Sequence, residues 1–131
     1  MSLITPTARR VPDNTAPEVD RAIHAETLAR VILLAQQGPA AIQRRLDALD
    51  KEWDVERCLE TGAASLILTG TALAAGGDRR WLFLPAGVAG FLLQHAIQGW
   101  CPPLPVFRRL GVRTADEINE ERTRLKALLR S

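Results

Sequence analysis

Two apolar runs, Leu59 to Ala75 and Trp81 to Gly99, are separated only by the charged turn Gly76, Gly77, Asp78, Arg79 and Arg80. As helices the runs are roughly 25 and 28 Å long, close to the ~30 Å hydrocarbon core of a bilayer. So short a turn forces them into an antiparallel hairpin. The mean hydropathy of -0.03 over 131 residues hides this segregation, because nearly all the Lys, Arg, Asp and Glu lies outside positions 61 to 77 and 81 to 107. A soluble helical bundle with the runs buried at its centre is the alternative. It would need cover on every side of both helices, and the remaining segments are short and one-faced. The sequence therefore predicts an all-α fold: a two-span transmembrane helical hairpin flanked by cytoplasmic amphipathic helices.

The first run is marginal alone, because Thr61, Gly62, Ser65, Thr69 and Gly70 weaken insertion. Small and hydroxylated residues also let a second helix approach closely. The second run opens with Trp81 and is followed by Trp100, where interfacial anchors sit, and Trp53 precedes the first run. Pro85 falls in an opening helical turn, where proline is tolerated. Ala86 and Gly90 have small-xxx-small spacing. Gly62, Ser65, Thr69, Ala86 and Gly90 are thus the expected helix-packing positions.

Outside the hairpin, residues 1–16 contain Pro6 and Pro12 without an apolar period and read as a disordered tail. They lack the basic, apolar and cleavage-site order of a signal peptide. Thr15 with Glu18 forms a capping-box pattern opening a helix to about Gln37, with Val19, Ile23, Val31 and Leu34 on one face. Gly38 stops it and Pro39 starts another, whose face is Ile42, Leu46, Leu49 and Trp53. Residues 17–56 are accordingly a cytoplasmic helical pair and 57–101 the hairpin unit. In 102–131, Pro102, Pro103 and Pro105 predict an extended elbow. A second capping box, Thr114 with Glu117, then opens an amphipathic helix, Ile118, Leu125, Leu128 and Leu129 opposing Glu120, Glu121, Arg122 and Arg124.

A net charge of +2 and a pI near 8.9 are too mild to imply a nucleic-acid partner. Basic residues cluster outside the hairpin, at Arg44, Arg45, Lys51, Arg57, Arg108, Arg109 and Arg113, against Arg79 and Arg80 in the turn. This bias places both termini in the cytoplasm, with Arg108, Arg109 and Arg113 expected to meet anionic lipid. Cys58 and Cys101 then lie at the same membrane edge as candidate reactive thiols, in no zinc-binding spacing. Glu60, Gln94, His95 and Gln98 form a candidate intramembrane polar patch, either a relay between Glu60 and His95 or hydrogen-bonding glue between spans. His24 reads as a solvated residue, and no catalytic constellation, metal set or cofactor motif is evident.

The end of the hairpin, Gly99, Trp100, Cys101 and Pro102, resembles the YgaP-like transmembrane domain family of bacterial inner-membrane proteins, over about Trp53 to Gly111. That family has two short helices, the first rich in small residues and the second ending in glycine, an aromatic, cysteine and often proline. The resemblance implies a two-span inner-membrane protein that forms a homodimer or higher homo-oligomer. The name-giving member joins its hairpin to a rhodanese, a sulfurtransferase domain carrying a persulfide. No segment here has the strands or cysteine loop of a rhodanese, so that activity is not carried over. The expected role is a non-enzymatic structural or partner-binding module in the bilayer. A membrane persulfide carrier or receiver using Cys101, served by a separate sulfurtransferase, comes second, and an oligomeric small-solute channel or transporter third.

Overall fold

Proline and glycine set most of the helix boundaries. The computed structural model describes residues 4–131, which among themselves form seven α-helices, two 3-10 turns and no strand. Pro17 opens α2 (Pro17–Gln37), Gly38 ends it at φ +99°, and Pro39 opens α3 (Pro39–Leu49). In each opening turn the missing proline N–H would have lacked a helical partner anyway. The Asp54 carboxylate caps α4 (Val55–Ala75) by accepting from the Arg57 N–H at 2.8 Å. A 3-10 turn, Arg79–Leu82, leads into α5 (Phe83–Gln98), which ends on Gly99 in the left-handed conformation. α6 (Leu104–Arg109) and α7 (Ala115–Arg130) complete the chain, and the predicted Thr114–Glu117 capping box forms at the start of α7.

Three sequence expectations need correction. Residues 4–16, read as part of a disordered tail, form a 3-10 turn at Thr7–Arg9 and the short α1 (Arg10–Asp13), with Val11 and Thr15 buried; residues 1–3 lie outside the described residues. The Thr15–Glu18 capping box is absent: α2 has no side-chain cap, and the Thr15 hydroxyl donates to the Val11 carbonyl at 2.7 Å. The proline elbow is not extended either, since Pro103 caps α6 and Pro105 lies in its first turn, where proline fits a helix.

The head consists of α2, α3 and α7, joined through Ile42, Leu46, Leu49, Ile118 and Leu125. Beside this core lies a buried ionic knot. Glu121, predicted on the polar face of α7, is completely buried and accepts from Arg45 at 2.8 and 3.2 Å, from Arg30 at 3.2 Å and from Arg113. Arg113 also donates to Glu52 at 2.7 and 2.9 Å. Arg108, 1% exposed, forks onto both Glu117 oxygens at 2.6 and 3.0 Å and donates to the Thr15 hydroxyl at 3.0 Å. Arg108 and Arg113 are therefore withdrawn from any lipid surface, because α6 and the following turn carry them back between α2 and α7. Arg109 alone of the three remains exposed.

A buried carboxylate survives ionised only where its oxygens are fully paired. Burial pushes the Glu121 carboxyl up, but Arg45 and Arg113 outweigh it and hold the group below the usual glutamate range. Burial is likewise outweighed at Glu117 by Arg108 and by the Thr114 N–H. Both groups titrate lower folded than unfolded, so the unfolded chain takes up protons first as the pH falls. Their contribution to stability is full above about pH 4.3, the ordinary glutamate value, and is lost as pH falls through the lower folded values. Glu121→Ala leaves the arginines facing one another and costs about 3–5 kcal/mol. Urea unfolding of Glu121→Gln checks the origin of the acid limb: the wild-type stability loss below pH 4 is expected to be shallower in the variant.

Candidate functional site at the base of the hairpin

α4 and α5 pack antiparallel, held closest near the turn, where a Cβ on Gly70 would lie 2.6 Å from Pro85 Cδ and 3.3 Å from Leu84 Cβ. Added Cβ atoms at Gly62 and Gly90, by contrast, meet nothing within 4 Å. Ser65, Thr69 and Ala86 are also exposed, and the Ser65 and Thr69 hydroxyls donate back to the Thr61 and Ser65 carbonyls. The expected packing positions therefore do not join the two helices within this chain, and Gly70 does so instead. Which small residues face inward depends on the relative rotation of the helices, which spacing alone leaves open.

The outer faces are apolar. Leu68 is 71% exposed, Phe83 81% and Leu93 62%, with Leu66, Leu73, Leu82, Phe91 and Ile97 also in the open. Among the described residues α4 is the one helix long and apolar enough to cross a membrane. α5 has 16 residues, because Trp81 and Leu82, expected in the second span, belong to the 3-10 turn capped by Asp78. Trp81 sits exposed at the turn end of the hairpin. At the other end Trp53 lies beyond the end of α3, with the Arg57 guanidinium 5.6 Å over its ring, and Trp100 meets Phe91 edge-on at 6.4 Å.

The polar residues converge at that same end. His95 is buried, with Nε2 2.9 and 3.0 Å from the two Glu56 oxygens and Nδ1 3.2 Å from the Gly99 carbonyl. Its partner is thus Glu56, not the expected Glu60, which is exposed one helical turn further along α4. Arg10 also reaches Glu56, at 3.4 Å, and donates to the Ala96 carbonyl at 3.1 Å. Gln98 takes part through its backbone: its carbonyl accepts from the Asn14 amide at 2.8 Å and from the Thr5 hydroxyl at 3.2 Å. Gln94 is half-buried and, with Gln98, lines a shallow depression on the far side of α5. The N-terminal segment thereby satisfies carbonyls that the end of α5 leaves without helical partners.

Cys101 is buried beside Val11, Val55, Leu59 and Leu104, and Cys58 is half-buried; both are free thiols. Both line one apolar groove of about 320 Å³, walled by Leu59, Leu66, Phe91 and Phe107. Glu56 and Arg10 were missed in the sequence. The Asp54 capping position, which starts α4 four residues before the apolar run, was the available signal for Glu56.

In the head, ligand atoms of Asp20, His24 and Glu117 lie within 4.8 Å of one another. Arg108 already supplies the positive charge there, forked onto Glu117 and 3.5 Å from Asp20, so a cation would have to displace it. His24 is about half exposed, 3.7 Å from Asp20 and 3.8 Å from Glu117.

Two glycines can be tested as spacers. Gly70→Ala drives a Cβ into the Pro85 ring, and Gly99→Ala places one 2.3 Å from the Arg10 carbonyl oxygen at φ +85°. Each is expected to cost about 1–3 kcal/mol in detergent-solubilised thermal unfolding. Gly90→Ala is expected to be neutral or to stabilise by up to about 1 kcal/mol, as for an open helical position. Comparison with models of known families, with curated proteins and with solved structures finds no match to this chain.

Proposed function

We propose that this chain is a small integral membrane protein whose hairpin is the membrane-embedded part and whose helical head binds or positions a partner on the cytoplasmic side of a bacterial inner membrane. The observation that carries this reading is the uncovered apolar surface on both α4 and α5, set against a head whose buried charges, Arg108, Arg113, Glu117 and Glu121, are paired with one another. α5 together with Trp81 and Leu82 of its preceding 3-10 turn rises roughly 28 Å, close to the length of a second span. Exposed Arg44, Lys51, Arg57 and Arg109 against Arg79 and Arg80 support cytoplasmic termini. The open small-residue faces at Gly62, Ser65, Thr69, Ala86 and Gly90 suit a second copy of the hairpin. The Gly99–Pro102 resemblance to YgaP-like hairpins belongs to the same reading.

Membrane fractionation tests it. The wild-type chain is expected to stay in the pellet after alkaline carbonate washing. Leu68→Arg, costing about 3 kcal/mol near the middle of a span, is expected to release a measurable fraction. A wild-type chain that washes off, or that is monodisperse in buffer without detergent, contradicts the proposal. For the second copy, oxidising native membranes carrying Gly90→Cys in a background without Cys58 and Cys101 is expected to yield a covalent dimer.

A further inference from the structure

We infer that α2 is the head's docking surface for a second copy of this chain, the two α2 helices pairing side by side and parallel along their outer faces. The inference rests on the proposed function in one respect: it names the partner that the head binds.

α2 is apolar on two opposite sides. Ile23 and Thr27 are buried, and Val31 and Leu34 pack on the core of the head. Each residue turns the helix by about 100°, so the opposite side carries Ala25, Ala29 and Ile32, flanked by Ala22, Leu28 and Leu33, all of them exposed. Leu28 is 44% exposed, Ile32 60% and Leu33 53%. One apolar stripe suffices to seat a helix on a core, and a second calls for a partner of its own.

Charge decides what that partner is. Glu18, Arg21 and Glu26 stand exposed along this face, while Arg30 is drawn towards Glu121. A helix that lies on anionic lipid is flanked instead by Lys and Arg. Protein is the better cover, and the spacing makes the face complementary to itself. In a seven-residue repeat Ala22 and Ala29 take a positions and Ala25 and Ile32 take d positions, which puts Arg21 and Leu28 at g and Glu26 and Leu33 at e. Two parallel helices bring each g residue against the e residue five places further along the other copy. Arg21 then meets Glu26 of the second copy and Leu28 meets its Leu33, each contact occurring twice by symmetry. Arg21 forms no ion pair among the described residues, and Glu26, 71% exposed, is bridged to Arg30 of its own helix alone. Both can therefore reach across. The alanines let the two helix axes approach to about 8 Å, and the leucines close over the sides of the seam. Antiparallel pairing sets e against e and g against g, which turns Glu26 towards its own copy and leaves Arg21 without a carboxylate. From Arg21 to Leu33 the seam covers roughly 18 Å of helix, so it is weak alone and gains from hairpins that hold both heads on one membrane.

Ala25→Cys and Ile32→Cys, each the single cysteine of a full-length chain without Cys58 and Cys101, are oxidised with copper phenanthroline in native membranes beside an Arg44→Cys control. A parallel pair places every d position next to its own copy, so both variants are expected to form covalent dimers about tenfold faster than the control. Arg21→Glu or Glu26→Arg, each added to Ile32→Cys, is expected to slow dimer formation roughly fivefold, as two attractive pairs become repulsive. The double variant Arg21→Glu, Glu26→Arg is expected to restore the rate, which a role within one chain would not produce. Linking at only one of the two positions would mean antiparallel pairing, and linking to a chain of another mass would mean a different protein. Cysteines that react with a water-soluble maleimide only after detergent is added would mean lipid. Each of these overturns the inference, as do rates equal to the control or indifferent to both charge reversals. Carbonate-resistant protein that does not link through α2 retains the membrane reading and loses the pairing, whereas linked heads on a chain that washes off retain the pairing and lose that reading.

Discussion

The outward side chains of α4 and α5 impose the constraint around which the rest of the structure is arranged. Leu68, Phe83 and Leu93 stand in the open on a hairpin that α6 meets at its base, beside Leu59. At about 25 cal/mol per Å² of apolar surface, leaving such a hairpin in water is expensive. The head cannot fold down to cover it, since its core faces are spent on one another through Ile42, Leu46, Leu49, Ile118 and Leu125. The bilayer of the proposed function would supply that cover on all sides at once.

The head and the hairpin meet at a seam that is polar on one side and apolar on the other. Val55 begins α4 fully buried, its N–H donating to the Arg113 carbonyl at 2.8 Å, so the first turn of α4 belongs to the head. One turn later the same helix contributes Leu59 to the small core shared with Cys101 and Leu104. Between them Glu56 reaches His95 and Arg10, satisfying a carboxylate and an imidazole where unpaired charge would be costly. Breaking one such partner strands the others, so the seam resists the substitution of any single member.

Features encoded within a few residues were legible. The Thr114–Glu117 capping box, the Gly38–Pro39 boundary and the Ile42, Leu46 and Leu49 stripe of α3 depend on local spacing and appear where it puts them, whereas Trp53, expected on the same stripe, falls beyond the helix and is exposed. Features that depend on a distant partner were not. Glu121 sits among Glu120, Arg122 and Arg124, and nothing in that run marks it as the residue that Arg30, Arg45 and Arg113 enclose. Residues 4–16 have no period because their order is tertiary: Thr5, Arg10 and Asn14 are held by the carbonyls at the end of α5. For the polar patch the helix that meets His95 was right and the partner was one turn off. Counting from Leu59 paired His95 with Glu60, whereas α4 begins at Val55 and presents Glu56.

Depth in the bilayer is the most direct measure of the central claim. In protein reconstituted into vesicles, with Cys58 and Cys101 replaced, spin labels at Leu68→Cys and Leu93→Cys report access to dissolved oxygen and to a water-soluble nickel chelate. The account predicts high oxygen and low nickel access at both positions, and the reverse for a label at exposed Arg44 on the head. Nickel access at Leu68 equal to that at Arg44 would contradict it.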